Sequence, residues 1–182
     1  MRSKNITFYL YIVCLVFNNN VLSQIKNVAK TESLKKIVHS DYTLDYTSDW
    51  ELNQSGQMGT SFILFSQLES DTDKFKENIN LVIQDLMGYN LNLDKYIDVT
   101  LGQIKSMISN PKINFNQRIN GDNGGFHKLV YSGNQGLFNL TFEQYIWVIK
   151  NRAFILTFTT EQEKFEKFKL KGEQILNSFI LN

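Results

Sequence analysis

The chain has 182 residues, 42% of them hydrophobic and 20% charged, with 19 basic and 18 acidic side chains giving a formal charge of +1. No block of like charge stands out beyond Lys35-Lys36, which excludes the clustered basic face that nucleic acid or strong attachment to anionic lipid demands. Cys14 is the only cysteine, so no internal disulfide can form.

Arg2 and Lys4 precede an uncharged apolar run from Ile6 to Phe17, followed by Asn18-Asn19-Asn20 and by Val21 and Ser23. This is the charged, apolar and small-residue order of a secretory signal, and the run is shorter than the ~20 residues a membrane span needs. Residues 1–23 therefore read as a signal peptide, cleaved after Ser23. Val13 before Cys14 and Leu15-Val16-Phe17 after it make the cysteine one more apolar residue rather than a lipid-attachment site. Loss of the leader removes Arg2, Lys4 and the only thiol, leaving a net charge of −1 and a fold held by its core alone.

Residues 24–40 are polar and mixed in charge and read as an N-terminal tether. From Asp41 the pattern alternates, with Tyr42, Leu44 and Tyr46 on one strand face. Ser61–Gln67 reads as a buried strand, and Asn78–Leu86 as another with Ile79, Leu81 and Ile83 on one face. The period then changes to helical. Leu93, Ile97, Leu101, Ile104 and Ile108 share a face, Asn92 caps the start and Asn110-Pro111 ends the element. Residues 112–120 and 126–132 are strands joined by the glycine-rich stretch Gly121–Gly125. After Asn134–Gly136, the longest strand spans 137–150, with Phe138, Leu140, Phe142, Ile146 and Val148 opposite Asn139, Thr141, Glu143, Tyr145 and Trp147. Asn151-Arg152 has hairpin length and leads to a strand at 153–159. Thr160 and Glu163 have capping-box spacing, opening a helix with an apolar stripe of Phe165, Phe168, Ile175, Leu176 and Phe179. This order predicts an α+β domain at 41–182, a mostly antiparallel β-sheet flanked by helices.

The Tyr-rich first strand running into Asp49-Trp50, the stretch Phe75-Lys-Glu-Asn-Ile-Asn-Leu-Val82, and the closing hairpin and helix resemble the PsbP-like family. The resemblance spans about Asp41 to the end. It implies an α/β/α sandwich and a non-enzymatic accessory role, and it offers no catalytic residues to carry over. Members range from a photosystem extrinsic subunit to a bacterial envelope protein and a nuclear import factor, so fold alone does not transmit function.

The residues offer little chemistry of their own. Glu69, Asp71 and Asp73 alternate in a turn but lack the glycine and bidentate carboxylate of a calcium loop. His39 and His127 are the only imidazoles and form no zinc-ligand spacing. Gly121–Gly125 lies between strands, not before a helix N-terminus where phosphate is cradled. No GxSxG elbow occurs. Tyr145 and Trp147, beside polar neighbours, form the candidate partner surface unless a helix covers that face.

The expectation is an exported, periplasmic or extracellular, non-catalytic binding or assembly accessory protein of the bacterial cell envelope. It has no cofactor and no metal, its partner is an envelope protein, and it makes no stable membrane insertion once the signal is removed. The alternative is a small-ligand carrier with an apolar pocket between sheet and helix, lined by Phe62, Phe142, Phe158 and Phe168. A cleft with adjacent acids of raised pKa would instead favour a carboxylate-based hydrolase.

Overall fold

A computed structural model describes residues 33–120 and 125–182. The expected signal peptide, Cys14, residues 24–32 and the centre of the 121–125 turn lie outside the described residues. In chain order the strands are β1 (Leu34–Val38), β2 (Tyr42–Thr47), β3 (Glu51–Asn53), β4 (Thr60–Phe65) and β5 (Asn78–Asp85). Helix α1 (Leu93–Met107) follows, then β6 (Ser109–Ile119), β7 (Phe126–Gln135), β8 (Phe138–Ile149) and β9 (Arg152–Glu161), with α2 (Phe165–Asn177) and β10 (Ile180–Leu181) at the end. Seven strands form one antiparallel sheet in the order β3-β4-β5-β9-β8-β7-β6, and β1-β2-β10 form a small second sheet.

The two central strands β8 and β9 are apolar on both faces, so each face needs a cover. Ile146, Ala153, Ile155 and Val82 on one face pack against Leu93, Tyr96 and Ile97 of α1. Farther along the same face, Leu129, Tyr131, Leu140 and Phe142 meet Ile104 and Ile108. The opposite face presents Tyr145, Trp147, Phe154, Leu156 and Phe158. These pack with Tyr42, Leu44 and Tyr46 of β2 and with Ile175, Leu176 and Phe179 at the C-terminal end of the chain. The result is the expected α+β sandwich, with its second layer shared between α2 and the small sheet. No described helix is long and apolar enough to cross a membrane.

Local chemistry sets the element ends. The Asn92 side chain accepts from the Lys95 amide at 3.0 Å and caps α1. The β8–β9 hairpin turns through Lys150 and Asn151, both at positive φ (50° and 58°), as a two-residue turn that matches strand twist requires. The turn thus lies one residue earlier than Asn151-Arg152. Arg152 belongs to β9, and its two terminal nitrogens each donate to an Asp41 carboxylate oxygen at 2.8 Å.

Two other expectations give way. Leu34–Val38, within the segment read as a tether, pair as β1 with β2 from Leu34↔Thr47 to Val38↔Thr43. Ile37 supplies the buried anchor that a short, charged strand needs. The capping box at Thr160 and Glu163 does not form. Thr160 is fully buried in β9 opposite Thr141, and α2 begins only at Phe165 with no side-chain cap. The strand ladder outcompetes the helix start, because ending β9 earlier would leave buried backbone groups of β8 unpaired.

Gly172 fixes how closely α2 approaches the sheet. A Cβ there would sit 2.4 Å from the Phe158 ring, whereas one at Gly102, on the exposed side of α1, would meet nothing within 4 Å. In urea titrations Gly172→Ala is expected to destabilise by about 1–3 kcal/mol. Gly102→Ala is expected to stabilise by up to about 1 kcal/mol.

Candidate functional site

On the α2 side of the sheet a groove of about 530 Å³ runs between α2 and the strands β6, β7 and β8. Strand register builds its floor. Ser132 lies opposite Thr141 and Lys112, and Val130 lies opposite Glu143 and Phe115. Lys128 stands two residues further along the same face, opposite Tyr145. The α2 wall contributes Phe165, Glu166, Lys169 and Glu173, all at helical spacing on the side turned toward the sheet.

Three charges meet at one end of the groove. The Lys128 ammonium lies 2.7 Å from Glu143 Oε1 and donates to Glu173 Oε1 at 2.9 Å. Glu143 is fully buried, Lys128 and Glu173 only partly. Glu143 Oε2 is also buried and accepts from no N–H or O–H donor among the described residues, while the carboxyl lies within hydrogen-bonding contact of Glu173. Burial pushes the Glu143 carboxyl above the ordinary glutamate range, and nearby Glu173 adds to that push while Lys128 opposes it. Burial works against the Lys128 cation, but its two carboxylate neighbours outweigh it and raise its pKa. The cluster carries a net charge of −1 with both glutamates ionised, beneath the Tyr145 ring-face contact that Lys128 makes at 5.4 Å.

At the other end stand Lys112, the Ser132 and Thr141 hydroxyls and Gln162. Asn114 donates to Ser132 at 3.3 Å. Between the two ends lie Phe115, Val130 and Phe165. The groove can therefore hold charged groups at its ends and an apolar stem in the middle.

The sequence-derived candidates fall elsewhere. Tyr145 and Trp147 are 3% and 6% exposed and form no open surface. Tyr145 stacks on Phe126 with ring centroids 4.4 Å apart, and Trp147 packs on Phe179 at 5.0 Å. The second layer covers this face, which a sheet apolar on both sides requires. The four phenylalanines of the expected carrier pocket do not converge. Phe62 and Phe158 are fully buried in the α2-side core, with Phe168 packed beside them, while Phe142 faces α1. The groove lies between sheet and helix as that reading placed it, but Phe115 and Phe165 line it, together with charges.

Glu69 and Asp73 do converge, on a lysine. Lys164 Nζ lies 3.1 Å from Asp73, 3.6 Å from Glu69 and 2.5 Å from Glu161, filling the place a cation would take. Asp71 stays in the exposed turn. His127 pairs with Asn116 at 2.5 Å, and His39 stacks on Tyr42 with Nδ1 accepting from the Asp41 amide. Among the described residues no group of three or more His, Cys, Asp or Glu side chains is placed to hold a metal ion.

The Lys128–Glu143–Glu173 cluster escaped the sequence reading because its members are far apart in the chain. One signal pointed to it: Glu143 is the one charged residue on the strand face it shares with Asn139, Thr141, Tyr145 and Trp147. Removing the ammonium would leave fully buried Glu143 without its counter-charge, facing the partly exposed Glu173 carboxylate. Lys128→Met is expected to cost about 3–5 kcal/mol in urea unfolding. Glu143 holds its proton more tightly folded than unfolded, so wild-type stability should fall as pH rises from its unfolded value of 4.5 through the raised folded value. That decline should be smaller in Glu143→Gln, measured by unfolding at a series of pH values, with the remainder coming from buried Glu77, whose pKa is also raised.

Neither a protein-family model nor a curated protein matches the chain. Solved structures do. LpqN of Mycobacterium tuberculosis, described as involved in cell envelope biogenesis, superposes with a TM-score of 0.62 at 14% identity, covering 84% of this chain and 92% of that one. The cyanobacterial PsbP (CyanoP) of Synechocystis sp. PCC 6803 gives 0.57 at 12% identity, with 88% and 99% covered. PA94 of Pseudomonas aeruginosa, a protein of unknown function described as a putative regulator, gives 0.56 at 15%, with 81% and 94% covered. The fold is PsbP-like, as the strand order and the Asp49-Trp50 region led one to expect.

Proposed function

We propose that this protein is an exported, non-catalytic binding or assembly accessory of the cell envelope, and that it engages its partner through the groove beside α2. The observation that carries the reading is the buried Glu143 at the groove floor, with Lys128 and Glu173 around it and two further lysines, Lys112 and Lys169, on the rim. A purely structural sheet face would bury apolar groups there, as it does at Trp147 and Phe154. Support for the envelope setting comes from the leader-like N-terminus and from the fold shared with LpqN, whose description names envelope biogenesis.

The groove also meets the condition that would have favoured a hydrolase, since Glu143 has a raised pKa beside a second acid. Its geometry argues against that use. Glu143 is fully buried with one oxygen held by Lys128, so it cannot come within the hydrogen-bond reach of substrate that a general acid needs.

Charge reversal at the rim tests the proposal without touching the core. Tagged wild-type protein and the Lys112→Glu/Lys169→Glu variant would each be used to capture partners from the native envelope extract. A stoichiometric partner recovered by wild type and lost with the variant is the expected outcome. Equal recovery by both proteins would move the binding surface elsewhere. Turnover abolished by Glu173→Gln would overturn the non-catalytic reading.

A further inference from the structure

We infer that the groove takes a small organic monocarboxylate with a ring-sized apolar body, its carboxylate held by Lys112 and by the hydroxyls of Ser132 and Thr141. The inference rests on the groove being the protein's binding site and adds a small ligand to the partner already proposed for it.

Strand register lays a row of donors across the sheet. Lys112 lies opposite Ser132, Ser132 opposite Thr141, and Thr141 opposite Thr160, so all four share one sheet face. The three hydroxyl residues are at most 4% exposed, yet Ser132 and Thr141 line the groove. Ser132 accepts from Asn114 and so keeps its own proton for another acceptor. The Thr141 hydroxyl has no partner among the described residues, and Thr160 Oγ1, next in the row, is buried without one. Buried hydroxyls left in this way are costly unless something supplies an acceptor. Lys112 at the outer end of the row and Lys169 across the groove on α2 have no carboxylate within ion-pair distance among the described residues. A carboxylate bound here would satisfy hydroxyls and cation together.

The surroundings set the charge and size of the ligand. Three lysines and three glutamates line the groove, so a single negative charge suits it better than a phosphate dianion. Glu143 stands two residues from Thr141 along β8, but its charge is already met by Lys128. The next row of the floor, with Phe115 and Val130, lies one two-residue step from Ser132, about 7 Å away, and Phe165 of α2 lines the same stretch. A second step reaches Lys128 and its two glutamates. A six-membered ring fits beside the two phenylalanines, whereas a long acyl chain would run on into the charge cluster. The groove volume of about 530 Å³ suits a small ligand.

The test is a calorimetric titration of the protein with benzoate, with benzamide and with acetate. Benzoate should bind saturably. Benzamide, which keeps the ring but not the charge, and acetate, which keeps the charge but not the ring, should each bind about tenfold or more weakly. Lys112→Gln and Thr141→Val should each weaken benzoate about tenfold, while Thr141→Ser, which keeps the hydroxyl, should bind as wild type does. Benzamide or acetate binding as tightly as benzoate, saturable binding by none of the three, or benzoate affinity unchanged in both Lys112→Gln and Thr141→Val would overturn the assignment. If that happens while the rim charge reversal still abolishes partner capture, the binding-accessory reading stands and only the small ligand is wrong. If benzoate binds as expected but the rim variant captures partners as wild type does, the groove is a small-ligand site and the accessory surface lies elsewhere.

Discussion

The β8–β9 hairpin has no solvent face, and the rest of the structure follows from that. Residues 140–147 and 153–160 are buried without interruption, so the sheet has to be layered on both sides. Helix α1 closes one side. On the other, α2 alone is too narrow for the aromatic row Trp147, Phe154 and Phe158, and the small sheet around β2 completes the cover with Tyr42, Leu44 and Tyr46. Gly172 lets α2 settle on Phe158 at backbone distance. The groove exists because α2 stops short of the outer strands, where the floor changes from aromatic rings to Val130, Ser132, Thr141 and a single buried carboxylate.

That carboxylate is one of two points, with fully buried Glu77, where the fold departs from pure packing. A fully buried glutamate carries a desolvation cost that one lysine can only partly offset, and an apolar residue opposite Val130 would fit the surrounding core more cheaply. Lys128 adds to the cost by being shared between two acids. Such an arrangement is tolerated where it serves recognition, and it lines the groove beside α2. The other lysine-centred cluster, around Lys164, gathers Glu69 and Asp73 from the loop before β5, fully buried Glu77 at the end of that loop and Glu161 at the end of β9, and holds the loop against the start of α2.

Much of the fold was legible in the residues. Two-residue alternation placed β2, β5 and β8, and Asn92 with the Leu93–Ile104 spacing placed α1 nearly to the residue. What failed did so for identifiable reasons. Tyr145 and Trp147 looked exposed because their strand neighbours Asn139, Thr141 and Glu143 are polar, yet burial is set by what lies across the sheet and not along the strand. β1 has a single buried residue, Ile37, too little periodicity for a strand reading. Thr160 has the spacing of a helix cap, but the β8 ladder continues past it. The charge cluster draws on β7, β8 and α2, and only register and layer order bring those three together.

The small sheet carries a further consequence for the order in which the chain can fold. Its middle strand, β2, is flanked by β1 on one side and by β10 on the other. Two-residue β10 cannot reach Thr43 until α2 has docked, and Asn182 then ties its amide to the Asp41 carbonyl. During synthesis the aromatic row of β2 therefore has no finished shelter until the last strand emerges from the ribosome, more than 130 residues after β2 itself. Pairings of such long sequence separation form slowly, so the small sheet is the last layer of the sandwich to close.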